Sequence, residues 1–322
     1  MKSSRESTTR KSSAPKLLLD SGAFSVATGK CEEFPVEEYG EYVLQTGARA
    51  FNLDVIPLNG VSPEEASKGS LRNYRILSEM GCNPIPVYHL GEPLSVLGKI
   101  LDLGPKLVAL GGFARNRSDQ VTHFMRTAFG YLCDSKGKPM VRVHGLGLSS
   151  LTSVVRFPFY SVDSSAFVLL GSRFASILLP LNGGFTKVAF TEFKTTPESY
   201  SSLSPAVQRM VREIVETRGF NFDAISTDWF ARVEWNAVLQ TERIEAHKPR
   251  PIHRKGFFHT PSETEGRLPR KTLLYLVPAL DPKSHDMLER RKNLRVLVSY
   301  ASIRKGSGVN FVDAFSRIKV PY

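Results

Sequence analysis

Along the chain, short apolar runs, often β-branched, alternate with longer segments whose apolar positions recur about every 3.6 residues. The runs are 16–19, 50–53, 85–88, 107–110, 141–143, 159–162 and 176–179. The segments between them predict helices over 36–46, 63–80, 94–101 and 119–133. Strands alternating with helices predict βαβ units and a parallel sheet. Continuous rather than alternating strand hydrophobicity predicts that both sheet faces are covered. An eighth strand is expected in 272–277 or 294–299. The fold class is therefore α/β, a (β/α)8 TIM-type barrel. Such barrels typically take about 250 residues, so 322 residues leave room for a tail and a C-terminal basic insertion or extension. A doubly wound open sheet is the alternative, although no G-x-G-x-x-G follows the first strand.

Residues 1–14 are rich in Ser, Thr, Lys and Arg and read as a disordered basic tail. Residues 15–322 read as a single domain. Within it, 181–271 is an insertion holding two helices, 205–218 and 224–245, and then a Pro/His/Arg-rich loop.

Composition changes this picture little, and charge changes it more. An apolar fraction of 41% excludes general disorder. No run approaches the roughly 18 apolar residues of a membrane span, and the N-terminus lacks the apolar core of a secretory signal. Three widely spaced cysteines, Cys31, Cys82 and Cys133, suggest a reducing compartment without disulfides. A cytoplasmic location is expected. The net charge is +12, concentrated in residues 1–16, 248–271 and 290–305. The rest of the chain is near neutral, so the excess reads as a polyanion footprint. The candidate nucleic-acid-binding residues are Lys248, Arg250, Arg254, Lys255, Arg267, Arg270, Lys271, Arg290, Arg291 and Lys292. Phe257 and Phe258, set among cations, could stack on a base or anchor their loop.

What ends each predicted strand carries the chemistry. Asp20, Asp54, His89, Gly111-Gly112, His144 and Asp163 each follow an apolar run. In a parallel barrel all strand C-termini open at one mouth, where active sites sit. Any one of these has a plain explanation as a turn or cap; six in succession do not. Three carboxylates converging on a pocket suit chemistry at an anomeric carbon, one attacking and another moving protons. His89-x-x-Glu92 has metal-ligand residue types, but Gly91 and Pro93 favour a rigid loop.

The motifs Leu19-Asp20-Ser21-Gly22-Ala23-Phe24-Ser25, Phe51-Asn52-Leu53-Asp54-Val55-Ile56-Pro57, Pro86-Val87-Tyr88-His89-Leu90-Gly91-Glu92, Ala109-Leu110-Gly111-Gly112, His144-Gly145-Leu146-Gly147 and Tyr160-Ser161-Val162-Asp163-Ser164-Ser165-Ala166-Phe167 resemble the tRNA-guanine (queuine) transglycosylase superfamily. The resemblance covers about 16–180 and is closest to the small phage-type branch, the DpdA-like DNA 7-deazaguanine transglycosylases. It implies a pentosyltransferase that exchanges guanine in a polynucleotide for a free 7-deazaguanine base such as preQ0 or preQ1. By the same resemblance Asp163 is the nucleophile and Asp20 the general acid/base. Asp54 reads the guanine-like face, and Gly111 and Gly112 lie against the base. Ser21, His89 and His144 complete the expected substrate-binding set, the two histidines as groups that orient their neighbours.

Two departures from the family bear on substrate and cofactor. The tRNA enzymes carry a C-x-C-x-x-C…H zinc site after the barrel, whereas no cysteine follows Cys133 here, so no zinc or other cofactor is expected. The bacterial tRNA enzymes follow their nucleophile with a Pro-Thr-Arg segment, where this chain has Ser164-Ser165-Ala166. DNA is therefore the expected polynucleotide, tRNA the alternative, and a catalytically silent nucleic-acid-binding barrel the rival from another class.

Overall fold

A computed structural model describes residues 16–113, 116–148, 151–181, 184–191, 197–252, 266–277 and 295–299. Strand β1 (Lys16–Asp20) leads into the short helix α1 (Ala23–Ala27) through Gly22, whose φ of 82° lies in the left-handed region, a turn that glycine makes without strain. Helices α2 (Val36–Thr46) and α3 (Pro63–Glu79) follow. α3 opens on a capping box in which Ser62 and Glu65 satisfy each other's backbone N–H groups, with Pro63 at its first position, a strong start signal. Next come β2 (Val87–His89), α4 (Leu94–Asp102), β3 (Leu107–Gly111), α5 (Ser118–Leu132), β4 (Arg142–Gly145), α6 (Leu151–Arg156), β5 (Ser161–Ser164) and α7 (Ala166–Gly171). The hairpin of β6 (Ser176–Leu181) and β7 (Gly184–Ala189) precedes α8 (Pro205–Thr217), α9 (Phe222–Thr227) and α10 (Trp229–Ala246). Strands β8 (Leu273–Leu276) and β9 (Arg295–Ser299) complete the described chain.

Seven strands form one sheet in the order β1-β9-β8-β5-β4-β3-β2, and every neighbouring pair is parallel. Both segments offered for an eighth strand are therefore strands of this sheet. Residues 50–53 make only isolated parallel bridges, Ala50 to Leu19 on one side and Phe51 to Ile85 on the other. Backbone bonds from Phe51 N–H to the Leu19 carbonyl and from Asn52 N–H to the Ile85 carbonyl, 2.9 and 2.8 Å, accompany them.

The run 176–179 is a correction. It is a strand, but it pairs antiparallel with β7 in a separate two-stranded sheet. The edge of β6 is occupied by side chains of α10. Asn236 accepts from Leu178 N–H and donates to the Ser176 carbonyl, and Trp235 Nε1–H donates to the Leu178 carbonyl. An edge satisfied in this way has no strand to recruit. The single helix predicted over 224–245 is instead two, broken at Asp228, whose carboxylate caps α10 by accepting from Phe230 N–H. Buried Arg232 then spends its guanidinium on the carbonyls of Gly171 and Ile225, locking α10 to α7 and α9.

The period-2 alternation of strands sorts residues between two apolar clusters. Leu19, Val108, Leu110, Val143, Val162, Leu274 and Leu276 pack toward the helices. Leu18, Phe51, Val87, Leu107, Ala109 and Leu297 fill the other face, with Tyr160 and Tyr275 against them. The hairpin and α8–α10 enclose a third cluster around Trp235 and Phe222.

Candidate active site

Counting on by two from Leu18, Val87 and Ala109 fixes what that second face presents at the C-terminal end of the sheet. Asp20 follows Leu18, His89 follows Val87, and Gly111 follows Ala109. On β4 and β5, Val143 and Val162 face the helices, so His144, Ser161 and Asp163 take the same face as Asp20, His89 and Gly111. The ladder sets His89 opposite Gly111, Asp163 opposite Tyr275 and Asp20 opposite Ser299.

Asp163 is buried and held by two donors on one oxygen. Gly147 N–H donates to Oδ1 at 2.7 Å, and His144 Nε2 stands 3.0 Å from the same atom. Beside an ionised carboxylate, which only accepts, Nε2 is the donor, and Nδ1 lies 2.8 Å from the Ser161 hydroxyl oxygen. The His144 ring is wedged between Phe51 and Tyr275, which fixes its plane. Among the described residues no partner takes Oδ2, the second oxygen of Asp163.

Asp54 is carried on an irregular segment tied to α3. Asn52 donates to the Ser70 carbonyl, Asn73 to the Leu53 carbonyl, and Ser70 Oγ accepts from Val55 N–H. These ties give the segment's polar backbone groups partners where the sheet ladder does not continue. His89 Nε2 lies 2.9 Å from Asp54 Oδ2, an ionic contact without hydrogen-bond alignment. On its other side Glu92 Oε2 accepts the His89 backbone N–H at 2.8 Å. Burial alone would push the imidazole down, but Asp54 and Glu92 outweigh it and hold the pKa up at about 10. His89 is thus a cation between two buried carboxylates.

Burial first, then the charges of Asp54 and Asp163, push the Asp20 carboxyl up to about 7, against smaller opposing effects of the Gly22 and Ser21 N–H groups. Through-space coupling of that kind places the three aspartates in one neighbourhood. The arrangement offers one carboxyl able to carry a proton near neutrality, one carboxylate tethered on a single oxygen, and one carboxylate held by a buried imidazolium.

No family model, no curated protein and no solved structure matches the chain.

The other sequence candidates divide cleanly. Ser21 donates to Asp54 Oδ1 at 3.3 Å and accepts from Ala23 N–H, so it braces Asp54 and the α1 turn. Gly111 packs under the His89 ring, where an added Cβ would lie 2.9 Å from it; Gly112 has φ 85° with Leu90 N at 3.0 Å from such a Cβ. Sequence reasoning missed Ser161, Gly147 and Ser299 as parts of the site. Ser161 was visible as the residue two before Asp163 on the same strand face, and Glu92, singled out beside His89, orients it by accepting its backbone N–H. A cavity of about 650 Å3 opens beside Asp54, lined by Val26, Phe34, Val36, Ile56 and Arg72, a volume usual for small-molecule sites. Among the described residues no group of His, Cys, Asp or Glu is placed to hold a metal. Cys31, Cys82 and Cys133 fall in separate parts of the chain.

Three of the basic residues, Arg267, Arg270 and Lys271, are not where the sequence argument puts them. Arg267, Arg270 and Lys271 precede the N-terminal end of β8, whereas the aspartates stand at C-terminal ends. Parallel strands turn those two sets to opposite ends of the sheet. Lys248 and Arg250 follow α10, and the chain then bonds to the α5–β4 turn through Ile252 N–H to the Gly137 carbonyl. The same turn receives Gly266, whose N–H donates to Asp134 Oδ2, and Arg267, whose N–H donates to the Pro139 carbonyl. Ile252, Gly266 and Arg267 are therefore anchored away from the aspartates, and Arg267, Arg270 and Lys271 do not frame them. Arg254, Lys255, Phe257, Phe258, Arg290, Arg291 and Lys292 lie outside the described residues.

Proposed function

We propose that this protein is a DNA-guanine transglycosylase, replacing guanine in DNA with a 7-deazaguanine base on a (β/α)8 barrel. The two bridges through residues 50 and 51 support the barrel, because they continue the parallel order from β1 to β2 and would close the ring. The observation that carries the activity is the grouping of Asp20, Asp54 and Asp163 with an Asp20 carboxyl near 7. Acid/base groups work best with a pKa near the working pH.

In the reaction, Asp163 attacks C1′ through Oδ2. The C1′–N9 bond breaks, its electron pair stays on guanine, and Asp20 gives that base a proton. The incoming base then returns a proton to Asp20 as its N9 displaces the carboxylate from C1′, restoring both residues. His144 and Gly147 hold Oδ1 and so aim Oδ2, and Asp54, fixed by His89 and Ser21, accepts from the donor-rich base edge. The preference for DNA over tRNA rests on Ser164-Ser165-Ala166 after Asp163. The test is release of labelled guanine from duplex DNA, single-stranded DNA and tRNA supplied with preQ0 or preQ1. Exchange on DNA supports the reading, exchange on tRNA alone moves it to the tRNA class, and binding without exchange leaves a silent barrel.

A further inference from the structure

The end of the sheet remote from the aspartates carries a cleft of about 840 Å3. Its walls are the N-terminal ends of β3, β4, β5 and β8 and the turns that feed them. Lys106, Arg142, Arg267, Arg270 and Lys271 line it, with Tyr160, and no acidic residue does among the described residues. The cations are exposed and their placements differ. The Arg142 guanidinium lies over the Tyr160 ring at 4.7 Å, and Lys271 is paired with Glu245 at 2.7 Å. Lys106, Arg267 and Arg270 have no carboxylate partner among the described residues.

The backbone under this cleft is rigid. Pro105, Pro139, Pro158 and Pro269 line it, each with a fixed φ. The turn that seats Gly266 and Arg267 is closed by Asp134, which accepts from the N–H groups of Lys136, Lys138 and Gly266. Burial alone would raise that carboxyl, but the three N–H donors hold it below its usual value. Space there is tight, since a Cβ on Gly266 would lie 2.1 Å from the Lys138 carbonyl oxygen. The cations thus project from a fixed backbone, so only their side chains are left to be ordered on binding.

We propose that this cleft is a docking site for the phosphodiester backbone of a nucleic acid, separate from the aspartate site. Four neighbouring strands at about 4.8 Å spacing make a row of roughly 14 Å, and phosphates follow one another along a strand at about 3.4 Å of axis. The row therefore matches several successive phosphates. Two of its unpaired cations are arginines, whose planar fork suits phosphate oxygens. The cleft is open and its cations are spread out rather than converging, which fits a strand better than a compact polyphosphate. Strands of four or five residues at about 3.3 Å each separate the two ends of the sheet by about 13–17 Å. A strand held here is consequently gripped at a distance from the reacting base. The proposal rests on the cleft's geometry and is independent of the base-exchange reading.

The test is fluorescence anisotropy of a labelled 20-nucleotide single strand binding to the full chain over a range of salt. Replacing Lys106, Arg267 and Arg270 together by Gln should flatten the slope of log affinity against log salt by ~2, at ~0.7 for each phosphate no longer neutralised. A control with Lys68, Arg75 and Arg126 changed to Gln removes the same net charge from exposed helix positions and should leave the slope unchanged. Single Lys106→Gln and Arg270→Gln variants, each flattening the slope by ~0.7, serve should the triple variant misfold. The docking site is refuted by an unchanged slope in the cleft variants or by an equal loss in the control. It is refuted too if stoichiometric tripolyphosphate displaces the strand, which would make the cleft a compact polyphosphate site.

Discussion

The two ends of the parallel sheet are built on opposite electrostatic principles. At the C-terminal end the charged groups are buried or, for Asp20, half-buried, and each is defined by its neighbours: Asp54 by His89 and Ser21, Asp163 by His144 and Gly147, Asp20 by the charges of the other two. At the N-terminal end the cations stand in solvent on a fixed backbone. A buried charge is costly unless paired, so the first end demands a connected network and yields perturbed protons. An exposed charge needs no partner, so the second end can leave its cations available to an anion. Parallel strands permit the contrast, because each strand delivers its first residue to one end and its last to the other.

The largest expected effect is on chemistry at the buried end. Asp163→Asn keeps the side chain's volume and removes the attacking carboxylate, so base exchange should fall by at least about 10³-fold with the fold retained. Denaturing electrophoresis of enzyme with oligonucleotide and a base analogue should show a covalent adduct for the parent chain and none for the variant. An adduct that persists would move the nucleophile to another carboxylate.

Next in size is a stability effect. His89→Ala strips the imidazolium from between Asp54 and Glu92, and removing one member of a buried ionic group costs about 3–5 kcal/mol. Urea unfolding should show that loss near pH 7, shrinking in acid as the orphaned carboxylates take up protons. Asp54→Ala should weaken use of the free base by about ten- to a hundredfold, the value of a charge-assisted hydrogen bond of about 1.5–3 kcal/mol. Steady-state kinetics with varied base test this, and unchanged kinetics would make Asp54 a purely structural group.

A subtler prediction concerns pH. The Asp20 carboxyl titrates near 7 when folded and near 3.8 otherwise. The folded state therefore binds this proton more tightly, and the associated stability is complete below about 3.8 and lost as pH rises to about 7. His89 is raised from 6.5 to about 10, so its contribution is complete below 6.5 and lost as pH rises through about 10. Unfolding free energy measured from pH 4 to 10 should fall across both windows. Asp20→Asn should remove the first decline and His89→Gln the second. Carboxyl NMR should further show that Asp54→Asn lowers the Asp20 pKa more than Asp163→Asn does.

Legibility in the sequence differs between the ends for a physical reason. Asp20, His89, His144 and Asp163 can be read because each closes an apolar run, and a strand's period of two fixes which face its last side chain takes. The helix over 36–46 is legible to the residue because its amphipathic period is unbroken. The run 176–179 has the same composition as a barrel strand. Only Asn236 and Trp235, nearly sixty residues later, decide that its edge is closed. The basic end is misread when residues 267–271 count simply as a late loop and every late loop is assigned to the mouth. Whether a loop lies at the mouth or at the opposite end depends on whether it follows or precedes its strand. With β8 starting at Leu273, those cations precede it. Lys106 and Arg142 sit alone in the sequence, one before β3 and one opening β4, and only pairing of those strands with β5 and β8 gathers them.

The smallest expected effect marks the same contrast from the other side. Gln at Lys106, Arg267 or Arg270 should change unfolding free energy by no more than about 0.5 kcal/mol, the usual range for exposed surface positions. None of the three pairs with a carboxylate among the described residues, so no partner is left behind. Lys271→Gln should cost slightly more, up to about 1 kcal/mol, because its exposed bridge to Glu245 is lost, and such bridges are worth little. Arg295 also pairs with Glu245 and is far less exposed, at 14% against 46% for Lys271. Arg295→Gln should therefore be the costliest of the set, since it leaves Glu245 with its more sheltered partner gone. Urea melts of the five variants at pH 7 and low salt give the order directly. Should Lys106, Arg267 or Arg270 prove as costly as Arg295, that cation would be part of the framework rather than held ready for an anion, and the contrast between the two ends would fail there.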